Sequence, residues 1–401
     1  MLPTSPARQV TIRNHNRNLV LQVIEKKGQI FRADLSKITR ISEPTISGIV
    51  ESFIQKGLVR ELGFGESLGG RKPVLIEFNP RVGYVVGIDA GGTDIKLGIS
   101  DLGGKFVFKK NFRSRDIGAR EAAVSELADL ILQIIEESHL EKTKILGVGL
   151  SVPAITDPEK GMVSFAPAFQ WHNIPLGPML SQRLGLAVSI ENDVNAAALA
   201  EKQWGIAKDF HDFVFISIGT GIGAGLILNG ELHRGYHYAA GEIGYTIVDV
   251  DWVRRQENPE NLLFGCLESI AAAPGIIKRA KALGFRKTAA EERDNIEFSA
   301  EDIFHSARNG DPIALQVLDE VTDYLAAGVI NIALVVSPQA IILGGGVAEA
   351  GNVLLEPLRT KIQMVSPIKP QILLSSKHSD AGLIGAASLA VLKAKQDLIK
   401  D

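Results

Sequence analysis

Two glycine-rich hairpins of the same design constrain this chain most. The stretch VVGIDAGGTDIKLGIS, from Val85, ends one apolar run on an aspartate, turns through Gly-Gly-Thr and resumes with a second apolar run. About 130 residues on, FVFISIGTGIGAGLILNGEL, from Phe213, places Gly219, Thr220, Gly221 and Gly223 between two apolar runs in the same way. A glycine turn between strands lets backbone N–H groups approach a phosphate closely, and an aspartate such as Asp89 can hold a hydrated Mg²⁺. Repetition of the unit predicts a duplicated α/β fold with nucleotide bound between the halves. A third turn, IILGGGVA, follows a strand expected over Ala340 to Leu343 and brings Gly345 toward the adenosine end. The bland alternative is three ordinary strand connections; the strand-end Asp before Gly91, Gly92 and Thr93 weighs against it.

The chain has 401 residues, enough for two or three domains, and its 40 glycines suit an α/β fold with many tight turns better than a helical bundle. One cysteine excludes an intramolecular disulfide and a thiolate zinc cage. The first residues, MLPTSPARQVTIRNHNRN, hold no continuous apolar segment, and the longest apolar run, Tyr324 to Val336, is interrupted by Asn331. A membrane span needs roughly 18 to 20 apolar residues, so a soluble cytoplasmic protein is expected.

A net charge of −3 conceals an asymmetry. Residues 1–80 hold 12 Lys and Arg against 7 Asp and Glu, a net of +5, while the remainder holds 31 against 39. A basic head on an acidic body fits a nucleic-acid module fused to a small-molecule domain, because phosphate neutralisation drives DNA affinity; a solvated basic tail is the alternative. Within the head, 11–27 reads as a helix with Ile12, Leu19, Val20, Val23 and Ile24 on one stripe and Gly28 closing it. A short helix is expected around Arg32 to Ile38. After a turn through Thr39, Arg40 and Ile41, SEPTISGIVESFIQKG predicts a helix with Ser42 as N-cap, Pro44 in the first turn and Gly57 beyond its end. Ile46, Ile49, Val50, Phe53 and Ile54 form its buried face, leaving Glu43, Thr45, Ser47, Gly48 and Ser52 outward. Strands over Leu58 to Leu62 and Val74 to Phe78, joined by GFGESLGGRKP, form a hairpin with Arg71 and Lys72 at its tip. Three helices and a basic hairpin in this order predict a winged helix-turn-helix over residues 1–80. Its expected DNA-contacting residues are Arg32, Ser42, Pro44, Thr45, Ser47, Gly48, Arg71 and Lys72.

Between the glycine hairpins, IENDVNAAALAEKQWG reads as a strand end followed by a helix. Asn192 or Asp193 suits an N-cap. The chemical reading makes Asp193 a general base toward a sugar hydroxyl that Asn192 holds. AAGEIGY and CLES add Glu242 and Glu268; lone acids are usually solvated, but together these four side chains have the inventory of a polyhydroxylated ligand site.

These motifs, from SEPTIS and GGRKP through DAGGTDIK, GVGLSVPAITD, ENDVNAAA, GTGIGAG, AGEIG and CLE to GGGV, make the whole chain resemble the ROK family (repressors, open reading frames and kinases), in its repressor branch with an N-terminal winged helix. The resemblance implies an actin-like (ribonuclease H-like) two-lobed sugar-kinase fold, a sugar in the cleft, and a homodimer or dimer of dimers. The expected lobes are 81–191, completed by a C-terminal helix over 382–401, and 192–381. The resemblance further implies sugar contacts from Asn192, Asp193, Glu242, Tyr245 and Glu268, with Asp193 the catalytic base in the family's kinases. Asp89, Gly91, Gly92, Thr93 and Lys96 are intact, which leaves Mg-ATP binding and residual kinase activity open; no cofactor is required. Two departures stand out. Family members carry a histidine after E-I-G and a cysteine-rich run that hold structural zinc, whereas this chain has Tyr245 and, aligned on Cys266, Pro259 and Asn261. No zinc is expected, because one soft ligand cannot hold it. A family asparagine after A-P is Ala168 here.

Three functions follow: a sugar-responsive repressor binding operator DNA, an ATP-dependent sugar kinase with an accessory head, and a constitutive DNA-binding protein with an inactive sugar domain. The last leaves Asn192, Asp193, Glu242 and Glu268 unexplained.

Overall fold

The head is built on one small core. The computed structural model describes residues 6–64, 74–91, 94–113, 121–166, 169, 171–254, 265–286, 298–377 and 380–400. Helix α1 (Pro6–Lys27) is closed by Gly28 at φ +72°, and α2 (Arg32–Thr39) and α3 (Glu43–Gln55) follow. Ile46, Ile49, Val50 and Phe53 are buried together with Val20, Leu21, Ile24 and Leu35, as the helical spacing predicts. The expected hairpin is β2 (Val59–Phe64) and β3 (Val74–Phe78), the first strand lying further along the chain than its apolar pattern suggested. Sequence reasoning missed β1 (Ile30–Phe31), which pairs antiparallel with β3 and completes a three-stranded sheet in the order β1-β3-β2. Two residues are too few for a period-2 signal to register.

The body contains two five-stranded sheets of equivalent topology. In the first, β4 (Tyr84–Ala90), β5 (Asp94–Asp101) and β6 (Phe106–Arg113) form an antiparallel meander. Strands β7 (Ile145–Val152) and β11 (Val188–Asn192) extend it in parallel on the β4 side, in the order β11-β7-β4-β5-β6. Helices α4 (Glu121–Glu137) and α5 (Leu176–Leu184) contribute to its apolar core, and a small sheet of β8 (Ile155–Asp157), β9 (Met162–Ala166) and β10 (Trp171–Ile174) joins them.

Helix α6 (Asp193–Trp204) leads into the second sheet. There β12 (Phe213–Ile218), β13 (Ile222–Leu228) and β14 (Glu231–His233) form the meander, and β15 (Ala340–Gly344) and β16 (Gln371–Leu374) run parallel to β12, in the order β14-β13-β12-β15-β16. The same plan twice is the duplicated unit that the paired glycine hairpins predict. Alternation sorts β12 between two cores: Val214, Ile216 and Ile218 face the helical layer, while Phe213 and Phe215 pack with Ala197 and Ala198 of α6. Among the described residues the remaining α-helices are α7 (Val250–Arg254), α8 (Cys266–Ala271), α9 (Ala273–Ala282), α10 (Ala300–Arg308), α11 (Pro312–Val336), α12 (Asn352–Val365) and α13 (Ala381–Ile399). Among the described residues no helix is long and apolar enough to cross a membrane.

Helix α13 packs closely on β4, β7 and α6, because small residues meet small residues. A Cβ on Gly149 would fall 1.9 Å from the Ala386 carbonyl oxygen, one on Gly87 2.9 Å from the Ala387 nitrogen, and one on Gly385 2.2 Å from the Ala196 oxygen. Its far end enters the head. Ile399 is buried in the head core, Lys395 pairs with Glu25 at 2.6 Å, and Lys56 Nζ donates to the Leu398 carbonyl at 2.9 Å. One 19-residue helix therefore touches both sheet lobe and head.

Candidate functional site

The first two turns of α3 present Ser42, Pro44, Thr45, Ser47 and Gly48 to solvent. Ser42 stands at the N-cap position, but its hydroxyl pairs with that of Thr45 at 2.8 Å instead of accepting from the helix backbone. Ser52, expected outward, is half-buried and accepts from Arg17 at 2.7 Å. The head's charge excess is partly spent internally: Arg32 pairs with Glu61 at 3.0 Å, Lys26 with Asp209 at 2.9 Å, and buried Arg17 lies over the Phe53 ring. Arg71 and Lys72 lie outside the described residues.

In the body, acidic side chains converge. Asn192 caps α6, its amide oxygen accepting from the backbone N–H groups of Val194 and Asn195 at 2.9 and 3.0 Å, and its amide nitrogen donates to the Ala154 carbonyl at 3.2 Å. The capping expectation and the polar-site expectation thus fall on the same side chain. Asp193 begins the helix. Burial, then the nearby Asp89 carboxylate and also Glu242, outweigh backbone hydrogen bonds and push its carboxyl up to about 7. Asp89 is itself raised from its ordinary value, chiefly by burial, against a 2.8 Å hydrogen bond from Ser151 and the charge of Lys96. Glu242 is raised by burial and then by Glu268; Glu268 is raised by burial although Ile222 N–H donates to it at 2.7 Å. Half-exposed Tyr245 is pushed up by burial and by both glutamates. Carboxyls that ionise reluctantly can donate as well as accept, which suits a neutral ligand with several hydroxyls.

The second and third glycine turns meet beside this cluster. Gly345 has φ +82°, and a Cβ there would lie 2.4 Å from the carbonyl oxygen of Ile218, the residue before Gly219. A Cβ on Gly221 would lie 2.6 Å from Glu268 Oε2, so the second and third turns and one acid share a neighbourhood. Asp89 lies against the start of α13, where a Cβ on Gly382 would come within 2.4 Å of it. Gly91 and Lys96 flank the first turn; Gly92, Thr93 and Ala168 lie outside the described residues. The donors do not fit the implied zinc site: Tyr245 stands in the histidine's place and the buried Cys266 thiol points to the Asp249 carbonyl at 3.9 Å. Pro259 and Asn261 lie outside the described residues.

Sequence reasoning missed Ser151, Glu191 and Arg234. Ser151 sits directly across from Asp89 in the β4–β7 register, so parallel pairing of two strand ends was the available signal. Glu191, a charge inside a buried strand end, is the other.

The sequence profile of the ROK family matches residues 85–393. A putative xylose repressor of Caldicellulosiruptor sp. strain Rt8B.4 is 33% identical over 353 residues, covering 87% of each chain. A glucokinase of Thermotoga maritima is also 33% identical, over 76% of this chain and 96% of its own. The crystal structure of a ROK family transcriptional regulator described as a homologue of the E. coli MLC protein superposes with a TM-score of 0.84 at 26% identity, covering 97% of this chain and 98% of the other.

Proposed function

The chain belongs to the ROK family, and from that membership we propose that it is a sugar-responsive transcriptional repressor, its head binding operator DNA and its cleft binding a monosaccharide. The observation that carries this reading is the union, in one chain, of an exposed polar recognition helix with a cluster of protonatable acids at Asp193, Glu242 and Glu268. Residues 1–80 are the DNA-binding domain, 81–191 with 382–401 the first lobe, and 192–381 the second. The protein works in the cytoplasm as a homodimer or dimer of dimers. Sugar closes the cleft and changes operator affinity, for which ~1–3 kcal/mol of coupling suffices. The name of the Caldicellulosiruptor relative makes D-xylose the first effector to try. Thermal shifts with a panel of monosaccharides and their phosphates, each with and without Mg-ATP, followed by operator titration with the best ligand, test the reading. If no sugar changes either midpoint or operator affinity, it fails.

A kinase reading is favoured by one observation, the carboxyl of Asp193 held near neutrality, where a general base works best. The backbones around Gly219, Thr220, Gly221 and Gly345, with Asp89, would hold Mg-ATP, which supplies the phosphoryl group. Asp193 would take the hydroxyl proton. Turnover of about 1 to 10³ per second in an ADP-release assay, lost in Asp193→Asn, would establish this activity.

A further inference from the structure

Glu191 is 1% exposed, at the end of β11, and its carboxylate spends both oxygens. Oε1 accepts from the Asn192 backbone N–H at 3.0 Å and from the Asn195 side-chain amide at 3.1 Å. Oε2 accepts from Arg234 Nε at 2.7 Å, with Nη2 also at 2.7 Å. One oxygen thus braces the strand-to-helix junction that carries Asn192 and Asp193, and the other reaches across to the second sheet, where Arg234 follows β14.

Arg234 opens the segment that delivers Glu242. Its carbonyl accepts from Ala240 N–H at 3.0 Å, closing the loop on itself. At the loop's other end Gly241, at φ +99°, accepts from Ala224 N–H at 2.7 Å, and a Cβ there would overlap the Ala224 carbonyl oxygen. The loop is therefore fastened to its own sheet at one end and to the opposite lobe at Arg234.

We propose that Glu191 and Arg234 are a positioning pair for the ligand site, holding the Glu242 segment against the strand end that carries Asn192 and Asp193 so that both halves close on one polyhydroxylated ligand. The inference rests on the sugar-binding reading for its ligand, but not for its geometry. Glu191 is buried while the Arg234 side chain is 32% exposed, so removing the arginine alone leaves a buried carboxylate uncompensated. Removing both charges relieves that penalty without restoring the bridge.

The test compares Arg234→Met, Arg234→Lys and the double variant Glu191→Gln/Arg234→Met in the full chain. Operator affinity without sugar should stay within about twofold of wild type in each. The sugar concentration for half-maximal response should rise about tenfold or more in Arg234→Met and in the double variant, and less in Arg234→Lys, which keeps the charge but not the two-nitrogen geometry. A double variant that melts like wild type and still has the weakened response separates positioning from folding; a wild-type response in any folded variant overturns the proposal. Hydrogen exchange on the sugar-free protein tests the bridge even if no sugar is the effector. Arg234→Met should speed exchange in both 191–196 and 234–242, and unchanged exchange in 191–196 would overturn the proposal.

Discussion

Asp193 holds its proton to about pH 7 in the folded chain, whereas an unfolded aspartate loses it near 4. Between those values only the folded chain binds this proton, so raising the pH through the window removes stability. Asp89, Glu242 and Glu268 are displaced in the same direction and add to the trend. Asp193→Asn should therefore stabilise the protein by ~2–4 kcal/mol at pH 8 and by much less near pH 4. Urea titrations at the two pH values check this, and an equal effect at both would contradict it. The same substitution should weaken the sugar response, because an amide keeps the shape and one acceptor but has no proton to exchange. At the metal-binding positions of the family, Tyr245 and a thiol turned toward a carbonyl predict a protein without stoichiometric zinc. Elemental analysis should find none, and chelator should leave the melting temperature unchanged.

On the proposed reading, helix α3 and the wing would divide DNA recognition between them. Ser47→Ala, on the exposed face of α3, should relax sequence preference with little loss of non-specific binding, while Arg71→Ala should weaken binding to every sequence and flatten its salt dependence by about one ion. Unaltered salt dependence in Arg71→Ala would disprove the wing assignment. In the body, contact between α13 and the first sheet depends on absent side chains. Gly149→Ala places a methyl inside a backbone carbonyl, so it should cost more than the ~1–3 kcal/mol usual for overpacking, measured by chemical denaturation. Much of this architecture was legible in the chain. Helical periodicity marked the buried face of α3, and the repeated glycine hairpins marked the two meanders and their shared plan. β1 escaped because two residues carry no pattern, and Ser42 was read as a capping side chain when its neighbour Thr45 offered a competing hydroxyl. Of the acid cluster, Asp193, Glu242 and Glu268 were legible as residue types beside turns. The bridge from Glu191 to Arg234 was not, because 43 positions separate partners that only the folding of two sheets brings together.

Head and body share a core at whole-molecule scale, since Ile399 of α13 is buried among Ile24, Leu35 and Phe53. Ile399→Ala should cost about 2–5 kcal/mol of head stability and weaken operator binding, while sugar affinity stays near the wild-type value. Loss of both in equal measure, by titration calorimetry and operator titration, would show that the contact is not local to the head. The same helix sets a timetable for biosynthesis. The head's own strands are complete by Phe78, yet the residue that closes its core is added more than 300 positions later. At about 5–20 residues per second, the nascent head waits roughly 15 s to a minute with an open apolar seam. Full competence for DNA should therefore come only after α13 has joined the head, so fragments truncated before it should bind operator poorly and be exposed to proteolysis.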